Sequence, residues 1–271
     1  MKLRNANGYV LIVVLGVLMA GSAVAAEWTV EEDSKWCDDR WDGDRYCEVR
    51  EITIDAGREV IRVDGRANGG ISVEGWDKDE IRIEARISVW NRDDDEDEAM
   101  EIAAKIKIDT DGTIEASGPK QRNRDGWSVS YRIMVPKESN LELETNNGGI
   151  SVADVEGRIE AEAMNGGMSL SRLAGDVDAH TTNGGLEVEL SGDRWKGSGL
   201  SATTTNGGVT LEIPKNYNAE LETGTVNGSV QVDFPITVEG KISKKLEATL
   251  GDGGPRVRVR TTNGGVHLRR G

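Results

Sequence analysis

The tripeptide Asn-Gly-Gly begins at Asn68, Asn147, Asn165, Asn183, Asn206 and Asn263, and Asn227-Gly228-Ser229 is a near copy. A turn signal that recurs this often demands a repeat architecture, in which each copy is one small unit that leans on the next. From Asn147 the steps are 18, 18, 23, 21 and 36 residues, the last being twice 18 and leaving room for a degenerate copy at Asp252-Gly253-Gly254. Three and five residues after each Asn stand bulky aliphatics, as in Ile150 and Val152, Met168 and Leu170, or Leu186 and Val188. Six, four and two residues before it stand smaller ones, as in Ile159, Ala161 and Ala163, or Val177, Ala179 and Thr181. Apolar and polar residues thus alternate on both sides of the turn, which is the period of a half-buried strand. Asn followed by Gly is read as the source of the positive φ that a tight turn needs, because Gly lacks Cβ and Asn tolerates the left-handed region.

An antiparallel β meander with Asn-Gly hairpins satisfies part of this pattern. It would make the two half-repeats equivalent, whereas bulky residues follow the Asn, small ones precede it, and like residues recur at 18 rather than 9. The expected fold is therefore all-β, a parallel β-solenoid with rungs of about 18 residues, and the meander remains the alternative. One rung alone cannot offset the entropy of ordering its backbone, so the copies must stack and both ends need caps.

The chain divides on composition. Lys2 and Arg4, an uncharged apolar run from Tyr9 to Met19 and the small residues around Ala25 read as a secretory leader over 1–25. The apolar run is too short to remain as a membrane anchor. A Trp- and Asp-rich segment over 26–48 follows, then an irregular β region over 49–140, then the regular repeats over 141–271, with 49–271 one continuous domain. In the irregular region Ile61 and Val63 precede Asn68 by odd steps, so that rung is out of phase by one residue. Asn91 is expected to cap an amphipathic helix over about 93–106, with Asp93, Asp94 and Asp95 in its first turn and Ala99, Ile102, Ala103 and Ile106 on its apolar face.

Cys37 and Cys47 are the only cysteines and both lie beyond the leader, so in an oxidising compartment they pair. Removing Lys2 and Arg4 with the leader takes the net charge from −15 to −17, which excludes nucleic acid as a partner. Together these place the mature protein in the periplasm or outside the cell, without a transmembrane anchor.

Four groups of residues are candidates for function. Trp36 and Trp41, beside the disulfide, could stack on carbohydrate or simply pack a cap. Glu142, Glu144, Glu160, Glu162 and Asp178 form an outward acidic stripe, either a solvated face, a cation site, or the carboxylate row of a polysaccharide-cleaving β-helix. Arg256, Arg258 and Arg260 make the same outward positions basic near the end, either offsetting the acidic rungs or capping the column for self-association or an acidic partner. His180 and His267 alternate with inward residues and face solvent, and no Ser-His-Asp order, phosphate loop or zinc-ligand spacing is present. No catalytic residue, metal site or cofactor is expected.

Gly70-Ile71-Ser72-Val73-Glu74-Gly75-Trp76-Asp77, an acidic helix with Ala99 and Ile102, a strand ending in Val135-Pro136 and the serial Thr-x-Asn-Gly-Gly rungs together resemble the bacterial adhesin-like β-strand-repeat family, a family of unknown function. The resemblance runs from Glu48 to Gly271 and implies an exported, noncatalytic envelope protein for adhesion, scaffolding or surface interaction, with an envelope protein or glycan as partner. The segment from Glu27 to Cys47 and the insertions near Trp195 and Lys241 depart from it. A polysaccharide hydrolase or lyase and a calcium-stabilised binding module are the alternatives.

Overall fold

The computed structural model describes residues 26–31, 34–38, 45–57, 59–91, 95–121, 125–235 and 244–271; the leader over 1–25, Trp41, Asp93, Asp94 and Lys241 lie outside them. Each regular copy lays one strand in each of two sheets, of 11 and 10 strands, with one continuous core between them. The residues after each Asn build the first sheet, where Ile150, Met168 and Leu186 stand in parallel register, as do Val152, Leu170 and Val188. The residues before each Asn build the second sheet, where Ile159, Val177 and Leu200 stack in the same way. The parallel solenoid is thus realised, with each rung supplying the hydrogen-bonding edge that the next one needs.

The seven asparagines form a single ladder. Asn165 Nδ2 donates to Asn147 Oδ1 at 2.9 Å, Asn183 to Asn165 at 2.8 Å and Asn206 to Asn183 at 2.8 Å. Asn147 extends it to Asn68 at 3.2 Å, and Asn263 and Asn227 continue it at 2.8 Å each. Inside five of the seven turns the threonine two residues before the Asn caps the neighbouring rung: Thr181 Oγ1 donates to the carbonyl of Gly166 at 2.7 Å, Thr204 to Gly184 and Thr261 to Gly207 at 2.8 Å.

The role expected for the glycines is corrected by their backbone. Of the Asn-Gly-Gly residues only Gly264 has φ in the left-handed range, at 153°. The first glycine is required because rungs approach too closely for a side chain: a Cβ on Gly166, Gly184 or Gly207 would lie 2.0 Å from the carbonyl oxygen of the adjacent rung. Close approach, not turn chirality, selects it.

Spatial order departs from chain order twice. The rung Ile61–Asp64 and Ile71–Trp76 lies between Leu141–Thr145 with Ile150–Ala153 on one side and Thr113–Ser117 with Gly126–Pro136 on the other. Ile61 pairs with Leu141 and Val63 with Leu143, so the strand is in register after all; the extra residue is absorbed in the turn, where Arg66 adopts φ 54°. At the other end the last rung, Arg256–Asn263 and Val266–Arg270, is inserted between Gly199–Asn206 with Val209–Ile213 and Ala219–Asn227 with Val230–Val232. The expected degenerate copy at Asp252 is instead a turn leading from the antiparallel strand Lys245–Leu250 into that last rung.

The N-terminal end of the first sheet is antiparallel, running Thr29–Glu31, Tyr46–Asp55, Glu80–Trp90 and Gly126–Pro136. Its helix spans Glu96–Ala103, shorter than expected. Asp95, not Asn91, is the cap: its carboxylate accepts from Glu98 N–H at 3.1 Å, and Asn91 Oδ1 accepts from Asp95 N–H at 3.1 Å. Arg50, from the sheet, serves the other end, donating to the carbonyls of Ala103 at 2.8 Å and Ile106 at 2.6 Å.

Candidate functional site

An open groove of about 1090 Å³ runs along the outer face of the first sheet, beside the Asn-Gly-Gly corner. One wall is a column of outward side chains in cross-strand register: Arg132, Ser72, Ser151, Ser169, then Glu187, Thr210, His267 and Gln231. The floor is the second glycine of each turn. A Cβ there would meet its nearest neighbour at 3.5 Å on Gly185 and 3.7 Å on Gly208, ordinary contact distances, and Ser229 occupies the equivalent place in the seventh copy. Packing between rungs therefore does not demand glycine at Gly185 and Gly208, whereas at Gly149 and Gly167 a Cβ would come within 3.2 and 3.3 Å of the next rung's carbonyl oxygen and the fit is tighter.

The groove is nearly free of acid in a chain of net charge −15. Glu187 is the one carboxylate among its described lining residues, and Arg269 pairs with it at 3.1 Å while also holding Glu212 at 3.0 Å. At the N-terminal end the disulfide between Cys37 and Cys47 ties the short turn Lys35–Cys37 to the sheet and sets Trp36 against the groove. The Arg132 guanidinium lies 3.9 Å over the Trp36 ring, and that of Arg86 lies 5.2 Å away and donates to the Trp36 carbonyl. At the far end His267 Nε2 meets Asp233 Oδ2 at 2.5 Å. Hydrogen bonds from Gln231 and then His267 hold the Asp233 carboxyl below its usual range.

The sequence singled out Trp36 but missed the serine column. Its signal was the small polar residue four places after Asn68, Asn147 and Asn165, taken only as strand alternation.

The acidic stripe lies on the second sheet. Glu142, Glu160 and Asp178 are in one register row and Glu144 and Glu162 in the next. Arg62 holds Glu142 through bonds of 2.6 and 3.3 Å and Arg158 Nε reaches Glu160 at 3.0 Å, so part of the stripe is neutralised within the fold. Among the described residues no three His, Cys, Asp or Glu side chains are grouped to hold a metal ion. Arg256, Arg258 and Arg260 do not form an end cap, because their rung is inserted one place in from the end. There they surround Glu222, at 3.9, 3.7 and 2.8 Å respectively, which offsets the charge of the adjacent rung. His180 is exposed on the same sheet and its Nδ1 contacts Thr203 Oγ1 at 3.0 Å. No described helix is long and apolar enough to cross a membrane.

Residues 137–269 match the family model Toastrack DUF4097. Among solved structures the chain is similar to a candidate cell adhesion protein from Clostridium sporogenes ATCC 15579, at 14% identity over 83% of this chain and 100% of that one, with a TM-score of 0.49. It is similar to a candidate adhesin from Bacteroides fragilis NCTC 9343, at 15% identity over 81% and 96% of the two chains, with a TM-score of 0.37. A candidate adhesin from Parabacteroides merdae ATCC 43184 gives 12% identity over 82% and 95%, with a TM-score of 0.29. A search of curated proteins finds no match. The matched stretch, residues 137–269, carries six of the seven asparagine turns, so the likeness to the Toastrack DUF4097 family rests on the regular β-repeats.

Proposed function

We propose that this protein is an exported, noncatalytic binding module of the cell envelope, a rigid column that adheres or scaffolds through the groove on its first sheet. The observation that carries this reading is the long groove itself, which crosses successive rungs of an otherwise acidic molecule with a single carboxylate among its described lining residues. Side chains on a stacked ladder are fixed by cross-strand register, so a surface built from them is preorganised and loses little entropy on binding. The Cys37–Cys47 disulfide agrees with an oxidising compartment, in keeping with the leader read from the sequence. His180 engages the Thr203 hydroxyl and His267 the Asp233 carboxylate, and among the described residues neither imidazole bridges a hydroxyl to a carboxylate as a triad requires.

Co-sedimentation of the mature protein with isolated cell envelopes tests this. Wild-type protein is expected to pellet with the envelopes. Gly185→Leu with Gly208→Leu, which fills the groove floor, abolishes pelleting, while Glu160→Gln with Glu162→Gln, on the opposite sheet, does not. Equal pelleting of the folded groove variant and the wild type would remove this face as the binding surface.

A further inference from the structure

The groove also carries a more specific assignment, which rests on the reading that this face is where the protein binds. We propose that its occupant is a linear acidic polysaccharide, laid along the column with a carboxylate at Arg132 and its hydroxyls on the serine row.

Three independent features point to that chemistry. The floor glycines are the first. Gly185 and Gly208 leave their places empty although a side chain would fit, and Ser229 shows the fold accepting one. An open floor across several rungs suits a long, narrow ligand rather than a compact one. The second is the wall. Ser72, Ser151 and Ser169 stand in direct register, so their hydroxyls repeat at the strand spacing of about 4.8 Å. That spacing is close to the advance of one sugar unit in an extended chain, and a hydroxyl that both donates and accepts matches the hydroxyls of a sugar. The third is charge. Arg132 is exposed, lies over an aromatic ring, and pairs with no carboxylate among the described residues. A guanidinium in this setting offers a planar fork to a carboxylate.

The net charge of the molecule does not oppose this. The stripe of Glu144, Glu162 and Asp178 lies on the other sheet. Packed sheets stand about 10 Å apart, and the Debye length in physiological salt is about 8 Å. The acidic face is therefore screened from the groove. On the groove's own sheet Glu74, Glu189 and Glu212 stand two residues along from the column, where Arg172 meets Glu189 at 3.5 Å and Arg269 holds Glu212 at 3.0 Å, so Arg132 is the charge that faces a ligand on the serine row.

The test is calorimetric titration of the full chain lacking only its leader with polygalacturonate, a linear carboxylated polymer, and with the same polymer methyl-esterified. Polygalacturonate is expected to bind, and raising the salt from about 50 to about 500 mM weakens it. Arg132→Gln weakens binding by about tenfold or more, and the esterified polymer loses affinity to the same extent. Gly208→Leu abolishes binding of both polymers, with circular dichroism and melting temperature reporting its fold. Should that variant not fold, Ser151→Glu replaces it, placing a like charge in the wall, and it likewise loses the acidic polymer. Absence of polygalacturonate binding overturns the proposal, as does equal binding of the esterified polymer or an unchanged affinity in Arg132→Gln. If envelope pelleting still depends on the groove while polygalacturonate fails to bind, the glycan assignment alone falls. If pelleting is also indifferent to the groove, the broader reading falls with it.

Discussion

At each turn the threonine, the asparagine and the first glycine act on the rung next door rather than on their own. The threonine hydroxyl satisfies a glycine carbonyl of the adjacent rung, the asparagine amide extends the ladder, and the glycine lets the two backbones meet. Among the regular rungs after Leu141, Ala163 is the exception. It stands in register between Thr145 and Thr181, which both make the carbonyl bond, and no hydrogen bond is described for the Gly148 oxygen that a threonine there would reach. Ala163→Thr is therefore expected to stabilise the protein by about 1 kcal/mol, raising the melting temperature by about 2–4 °C. A scanning calorimetry trace with an unchanged or lower midpoint would contradict this. The positions of these residues were legible in the sequence. The reason for glycine was not, because a close approach between rungs has no signature in the local chain.

At the scale of elements the clearest case is the helix Glu96–Ala103. Its acidic first turn and apolar face were readable, since capping and periodicity are local properties. Its end was not, because the group that satisfies its last carbonyls comes from Arg50, about fifty residues away in sequence. Arg50 is itself held by Glu48 at 2.6 Å, and Glu48 accepts from the Tyr46 hydroxyl at 2.8 Å in a largely buried network. Arg50→Met leaves the Glu48 carboxylate buried without its cation and the helix end without donors. The expected loss is about 2–3 kcal/mol, and hydrogen exchange should show faster exchange of the Ala99 to Ala103 amides than of the regular rungs. Uniform exchange across both regions would argue that the helix is held by its apolar face alone.

The whole molecule is a column whose last rung in sequence is not its last rung in space. Arg256–Asn263 joins Gly199–Asn206 to Ala219–Asn227, and no direct pairing connects those two outer strands. Truncation after Gly254 therefore removes the middle of the end of the stack. Limited proteolysis followed by mass spectrometry is expected to cut such a truncated chain within 219–235 while 141–189 stays protected, because that region keeps both of its neighbours. Protection of 219–235 in the truncated protein would mean that the two outer rungs can pair directly. The insertion also explains the basic row: the Arg256, Arg258 and Arg260 positions lie beside Glu222, so an interior rung carries the charge that the sequence suggested for an exposed cap.

By itself the sequence favoured a parallel stack over a meander and placed the strands that flank the seven asparagine turns, because a half-buried strand writes its period and its turn residues locally. Tertiary structure alone decided the order of the rungs, the identity of the helix cap and the existence of the groove. Each of these depends on which rung lies beside which. At the two ends of this column neighbours in space are far apart along the chain, so no local pattern can encode them.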